Sequence, residues 1–263
     1  MLNLSRGEYQ GAVRSTVSTA GLLISLTDYN HEQSVPVLHT HENPHLSFGL
    51  TGRMAVGRKS HAGLNSSIEQ FSYVRAGEEH HVSLVTPIGK NINLELEPEF
   101  FKRYALKESD FEKLSETPGS SYIMLRLYKE LHMQDTVCDD SINMLILHLL
   151  QLQSTTIKNA APRWTQLVRE LLCDNWDKEI SLNQIASAAD IHPVTVSKYF
   201  TRYFGCSLGE YRRRLKIERA LHLMNSSDKP LTEIAYLCAF FDQSHFIRAF
   251  KEATGFSPKQ FIK

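Results

Sequence analysis

The feature that most constrains this chain is an internal repeat. Residues 181–211 match residues 230–261 along their length. Leu182, Ile185 and Ala186 correspond to Leu231, Ile234 and Ala235 at an offset of 49. Phe200, Gly205, Ser207 and Tyr211 correspond to Phe250, Gly255, Ser257 and Phe261 at an offset of 50. The offset grows by one inside the unit. Insertions belong in turns, so turns are expected at 189–192 and 238–242. A repeat sets the architecture before any other signal, and two copies are too few for a solenoid. Each copy is therefore expected to be a small helical subdomain.

Both copies read as a helix, a turn and a second helix. Ala186 and Ala235 supply a small residue where the second helix crosses the first, and Asp190 and Ala239 stand where such a turn often needs φ > 0. Val196, Tyr199 and Phe200 form the apolar inner side of one second helix; Phe246, Ala249 and Phe250 form that of the other. Pro193 suits a first helical turn, Asp242 an N-cap, and Gly205 and Gly255 helix C-termini. Between the copies, 207–225 reads as one long helix. Leu208, Tyr211 and Leu215 make a stripe, continued by Ala220, Leu223 and Met224, with Arg212, Arg213, Arg214, Lys216 and Arg219 around it. Such a charge run is ordinarily a solvated face. Beside two helix-turn-helix units, some of these arginines are expected to reach phosphates.

Charge supports a polyanion partner for this half. The whole chain balances 29 Lys and Arg against 29 Asp and Glu. Residues 1–160 hold 14 basic and 18 acidic residues, a net of −4, and residues 161–263 hold 15 and 11, a net of +4.

On these residues the stretch 164–262 resembles the DNA-binding domain of the AraC/XylS family of bacterial transcription regulators. The resemblance rests on Ile185–Ala186, Phe200, Gly205, Ser207, Tyr211, Arg214–Leu215, Ala220 and Leu223. It is strongest over Glu233–Ala235, Cys238, Phe240, Asp242–Phe246, Arg248–Lys251 and Gly255–Pro258. Ala239 departs from the glycine usual there, at a cost of about 1 kcal/mol if left-handed; Asp190 tolerates that conformation better. In a helix-turn-helix, the outward N-terminal side chains of the second helix meet base edges. Removing the inward set leaves Val194, Thr195, Ser197 and Lys198 in copy one, and Gln243, Ser244, Ile247 and Arg248 in copy two. Arg248 and Gln243 have the chemistry for guanine and adenine, and Val194 and Ile247 for thymine methyls. Arg212, Arg213, Arg214 and Lys251 are expected phosphate contacts. His192 and His245 read as helix-start and packing residues.

From residue 21 to about 97 the pattern has period two or consists of short apolar runs. Strands are expected at 21–29, 45–50, 68–74, 81–85 and 91–97, separated by turn residues such as Thr51–Gly52 and Ala76–Gly77. This predicts a β-sandwich or small barrel over 1–118. Helices follow near 120–133 and 139–153, the second with Ile142, Leu145, Leu149 and Leu152 on one face, which serves either packing or dimerisation. Residues 154–163 read as a linker. The chain is thus α+β overall, an N-terminal β-barrel or jelly roll with trailing helices before an all-α domain at 164–263.

The barrel carries a histidine pattern. His39 and His41 share one strand face, His45 follows, and His80 lies on a strand about 40 residues on. With Gly52 and Gly77 they resemble the two cupin motifs, though His45 stands where a Glu is common and Arg75 replaces a Pro. Three readings stay open: a small-molecule pocket with histidine hydrogen-bond partners, a divalent metal held by the imidazoles, and structural histidines. His31, His61 and His81 have no partner pattern. No catalytic residues are assigned and the metal is unknown.

The four cysteines are widely spaced without a CxxC pair and read as reduced thiols. The N-terminus lacks a signal-peptide profile, and the longest apolar run, 144–152, is too short for a bilayer. The expected function is a cytoplasmic, sequence-specific regulator rather than an enzyme. Its expected partners are double-stranded DNA, a small-molecule effector, a second copy as homodimer and, for an activator, RNA polymerase, with no membrane. The alternative is a metal-dependent cupin enzyme carrying a DNA-binding tail.

Overall fold

A computed structural model describes residues 2–19, 21–30, 37–60, 63–112, 114, 117, 119–133, 138–151 and 162–261. Its strands are β1 (Leu2–Leu4), β2 (Ala12–Thr19), β3 (Leu22–Asn30), β4 (His39–His41), β5 (His45–Thr51), β6 (Met54–Ser60), β7 (Gly63–Ile68), β8 (Phe71–Val74), β9 (His80–Leu84) and β10 (Ile88–Leu96). They form two five-stranded sheets, ordered β1-β4-β9-β6-β7 and β2-β3-β10-β5-β8. Tyr29 of the second sheet packs against Met54 and Leu84 of the first, so the sheets face one another. Gly52 turns β5 into β6 at φ 77°, where a Cβ would come within 2.2 Å of the Ile88 carbonyl oxygen.

One expected strand, 68–74, is two. Ile68 ends β7 in one sheet, and Phe71–Val74 form β8 in the other. The break falls at Glu69 and Gln70. Glu69 accepts two bonds from Arg58 on β6, at 2.6 and 2.9 Å, and the Gln70 carbonyl accepts from the Gly49 N–H at 2.7 Å. The two residues of the break are thus tied to different neighbours, β6 and β5.

The apolar side of the second sheet does not face the first. Leu22, Ile24, Leu46, Phe48, Ile92 and Leu94 pack outward against helices. Those helices are α2 (Ser120–Met133) and α3 (Cys138–Gln151), which follow the short α1 (Pro98–Tyr104). Alternation then sends Ser25, Thr27, Asn91, Asn93 and Glu95 into the seam between sheets, all of them buried. Asn93 donates to Thr27 at 3.0 Å and accepts from Ser47. Polar burial of this kind is costly unless bonded, and here the Ser25 hydroxyl and the Asn91 side-chain oxygen find no partner of normal geometry.

Helix α3 spends Ile142, Ile146 and Leu149 on this internal core and leaves Met144 in solvent. Of the expected face, Ile142 and Leu149 are buried and Leu145 is half-buried, while Leu152 lies outside the described residues. Of the expected linker, only Pro162 and Arg163 are described, and Arg163 already opens a helix. His31 and His61 also lie outside them. Among the described residues, no helix is long and apolar enough to cross a membrane.

The C-terminal part is helical throughout: α4 (Arg163–Asp174), α5 (Leu182–Ala188), α6 (Pro193–Phe204), α7 (Leu208–Ser226), α8 (Leu231–Leu237) and α9 (Gln243–Thr254). Both expected turns, 189–192 and 238–242, separate the helices of a pair. Trp164, Val168, Ile185, Val196 and Phe200 form a separate core in the first unit. Ile217, Leu221, Ile234, Phe246 and Phe250 belong instead to the core shared with the sheet and α2. Helix α7 bridges the two. Its Leu208, Tyr211 and Leu215 pack on the first core, and its Ile217, Ala220 and Leu221 are buried in the second.

Candidate nucleic-acid interface and histidine cluster

The two helix pairs repeat in atomic detail. At the end of α5 the Ile191 N–H donates to the Ala186 carbonyl at 3.0 Å; at the end of α8 the Phe240 N–H donates to the Ala235 carbonyl at 3.0 Å. The residue before each donor is left-handed, Asp190 at φ 52° and Ala239 at φ 55°, and this turns the chain so that the closing bond can form. The second helices then start from caps. Nδ1 of His192 accepts from the Val194 N–H at 3.2 Å with Pro193 in the first turn, and Oδ1 of Asp242 accepts from the His245 N–H at 2.6 Å. Both end on left-handed glycines, Gly205 and Gly255.

Each second helix is anchored by aromatic burial and shows its other side to solvent. Val196 and Phe200 are buried in α6 while Val194, Ser197 and Lys198 are exposed and Thr195 is half-buried. Phe246 and Phe250 are buried in α9 while Ser244 and Arg248 are exposed and Gln243 and Ile247 are half-buried. Gln243 Oε1 accepts from the Thr232 hydroxyl at 2.7 Å, which orients its amide.

The basic residues divide. Arg213 and Lys251 are exposed. Arg212 donates to the Lys178 carbonyl. Arg214 pairs with Glu210 and lies 4.7 Å over the Tyr122 ring of α2. Arg212 and Arg214 therefore have partners inside the chain, because α7 runs between two cores and brings both within reach of neighbouring segments. Two exposed aromatics escape the sequence reading: Tyr236 on α8 is 81% exposed and Phe241, just before α9, is 92% exposed. Periodicity assigns aromatics to a core, and nothing in the pattern marks these two as outward.

The second constellation lies in the seam between the sheets. His39 pairs directly with His80 across β4 and β9, and His41 shares their face. One nitrogen from each lies within 4.8 Å of the others, and all three side chains are buried. His45 joins from the facing sheet, its ring 4.3 Å from that of His41 and 6.0 Å from that of His80. All four histidines singled out in the sequence therefore come together. Burial, then the neighbouring rings, holds His41 down at about 3. Burial likewise lowers His80 to about 4 and His45 well below its ordinary value. Burial thus favours the neutral form of each imidazole in the cluster. Tyr9 closes one side, 5.5 Å from His41 and 5.6 Å from His45. Glu95 lies near but is occupied, accepting from the Gly7 N–H and from Asn43, each at 2.8 Å. Sequence reasoning missed Tyr9, which lies in the turn after β1, and Glu95, which β10 places opposite His45.

The seam leaves a cavity of about 20 Å³ beside His45, Ser47, Asn91 and His80. A larger space of about 790 Å³ is an open surface groove along β8. Its charged walls are already paired, Arg58 with Glu69 and Arg75 with Glu112.

This geometry defines a class: a capped, αL-turned helix pair, present twice, with an exposed face on each second helix. A domain family described as a helix-turn-helix domain matches residues 185–263. The chain is 29% identical over 119 residues to the HTH-type transcriptional activator RhaS of Enterobacter sp. (strain 638), covering 44% of this chain and 42% of that protein. It is 30% identical over 129 residues to the RhaS of Citrobacter koseri, covering 48% and 46%. The chain therefore spans less than half the length of these curated relatives. Among solved structures, the C-terminal domain of AraT, a response regulator from Geobacillus stearothermophilus, is 26% identical with a TM-score of 0.35, covering 38% of this chain and 84% of that one. Residues 185–263 thus match a helix-turn-helix domain, and the curated relatives that align with this half are HTH-type transcriptional activators.

Proposed function

We propose that this chain is a sequence-specific transcription regulator that reads DNA with the N-terminal turns of α6 and α9 and answers to a ligand held between its N-terminal sheets. The observation that carries the reading is the repeated geometry of the two helix pairs. Each second helix follows the same left-handed turn, is capped, and exposes short or cationic side chains over its first two turns. A helix so mounted enters a major groove end-on. Arg248 pairs with a guanine and Gln243 with an adenine, Val194 and Ile247 meet thymine methyls, and Thr195, Ser197, Lys198 and Ser244 complete the edge contacts. Arg213 and Lys251 reach phosphates. The protein works in the bacterial cytoplasm, and the activator names of its relatives support RNA polymerase as a partner. Buried histidines and polar side chains in the seam support a sensing role for the sheets.

The test is selection of binding sites from random DNA with the full-length protein, followed by affinity measurements on the selected site. A defined site, with affinity falling steeply as salt rises, is expected. Binding without sequence preference overturns the reading, as does a selected site that is unchanged in Arg248→Ala and Gln243→Ala.

A further inference from the structure

The seam between the sheets gathers four imidazoles that do not hydrogen-bond to one another, and two of them are aimed. Nδ1 of His39 lies 2.8 Å from the Val37 carbonyl oxygen, and Nδ1 of His80 lies 3.0 Å from that of Glu78. A carbonyl can only accept, so both Nδ1 atoms carry the proton and both Nε2 atoms keep a lone pair. This second hydrogen bond is how proteins fix a ring as a metal ligand. His41 brings a third nitrogen within 4.8 Å of the other two. His45 supplies a fourth ring from the facing sheet, and its buried Nδ1 has no hydrogen-bond partner of normal geometry. Imidazoles about 2.1 Å from one tetrahedral ion would sit roughly 3.4 Å apart, a spacing that small ring rotations reach from here.

Other occupants fit worse. Pockets for organic ligands run to about 300–1,000 Å³. The cavity here, about 20 Å³, has room for something the size of one water. Hard cations such as Mg²⁺ and Ca²⁺ want oxygen donors. The nearby carboxylate, Glu95, is already engaged by Gly7 and Asn43. Nitrogen-only donors suit zinc, nickel, copper or iron.

We propose that His39, His41 and His80 bind one divalent first-row transition-metal ion, with His45 placed to serve as fourth ligand, and that this ion is the ligand of the N-terminal sheets. The ion would join β4 and β9 of one sheet to β5 of the other. Strand β5 also touches the helical half, because Asn225 on α7 donates to the Gly49 carbonyl at 3.3 Å. Only the regulatory part of the inference rests on the function proposed above; the site is measurable without DNA.

The experiment titrates full-length protein, free of any histidine tag, with Co²⁺ and then Zn²⁺. One Co²⁺ per chain is expected, with the visible bands of a four-coordinate site that Zn²⁺ abolishes. His41→Ala and His80→Ala should each weaken binding at least about tenfold. His81→Ala, the next residue of β9 and on its opposite face, should leave binding intact. The wild-type spectrum decides even where a variant fails to fold. Absence of bound Co²⁺ and Zn²⁺ overturns the site, and so does wild-type affinity in both His41→Ala and His80→Ala. Affinity for the selected DNA site is then compared with and without Zn²⁺. A shift that disappears in His80→Ala supports the sensing role. Bound metal with no shift overturns that role while the site and the DNA-binding reading stand.

Discussion

Arg248 and Arg213 are both exposed arginines of the helical half, yet they should behave differently on substitution. Arg248 projects from the second turn of α9, where a guanidinium can form two bonds with one guanine. Arg248→Ala should cost about 1–3 kcal/mol on the preferred site and little on sites altered at that base. Arg213 sits on α7, not on either second helix. Arg213→Ala should weaken all sequences alike and reduce the salt slope by about 1. Competition binding against single-base variants of the selected site separates the two; uniform weakening by Arg248→Ala would make it a phosphate contact. A second test concerns backbone strain. Ala239 holds φ 55° with a Cβ that favours the opposite sign. Ala239→Gly should raise the melting temperature, a gain of about 1 kcal/mol, whereas Asp190→Gly should gain less because Asp tolerates this region. No rise for Ala239→Gly would mean that its unfolded-state entropy offsets the relief. These backbone positions were legible from the repeat itself, since the one-residue change of offset pointed at the two turns. The fates of Arg212 and Arg214 were not, because their partners, the Lys178 carbonyl and the Tyr122 ring, come from elsewhere in the chain.

Among the elements, α2 and α7 meet at a buried carboxyl. Glu218 of α7 accepts from the Tyr122 N–H at 3.3 Å, at the start of α2. Burial raises its pKa from 4.5 to about 7, against the smaller pull of backbone N–H groups and Arg214. The protonated form is therefore the one the fold prefers. Its contribution is full below about 4.5 and is lost as pH climbs through about 7. Because the side chain keeps some contact with solvent, roughly 1–2 kcal/mol is at stake rather than the full shift. Thermal melts of wild type should fall between pH 5 and 8, and Glu218→Gln should flatten that fall and melt higher at pH 8. An equal slope in both proteins would place the titration elsewhere. Several long elements were readable from pattern, β5 and β10 from alternation, β3 from an apolar run and α7 from its apolar stripe. Exposed β2, on a sheet edge, has no alternation to read, because most of its residues face solvent. Strand β10 alternates cleanly yet buries both faces, Asn93 included. Alternation reveals that two faces differ, and it leaves open which of them meets helices and which meets another sheet. For that reason the four histidines could be paired in the sequence, but the polar seam around them and its small volume could not.

At the scale of the whole molecule, the two reading units stand on different foundations. The first has a core of its own, built from α4, α5 and α6. The second shares its core with the sheet and with α2, where Tyr128 packs 4.8 Å from Phe256. Helix α7 joins them over 19 residues. At 1.5 Å per residue it spans roughly 28 Å, close to the ~34 Å between major-groove faces one turn apart. One chain should therefore protect two segments centred about 10 base pairs apart, and these should differ in sequence because α6 and α9 carry different outward residues. Removing residues 1–161 should not affect the two alike. The first unit keeps its core, so its segment should stay protected. The second loses the α2 face that covers Phe256 and Phe261, so its segment should be protected only at higher protein concentration. Footprinting of full-length protein and of the 162–263 fragment on the same selected site tests both statements. A single protected segment with the full-length protein would mean that only one pair reads DNA. Equal protection of both segments by the fragment would mean that α7, α8 and α9 hold their shape without the sheets, and that the shared core is no route by which the N-terminal half influences DNA.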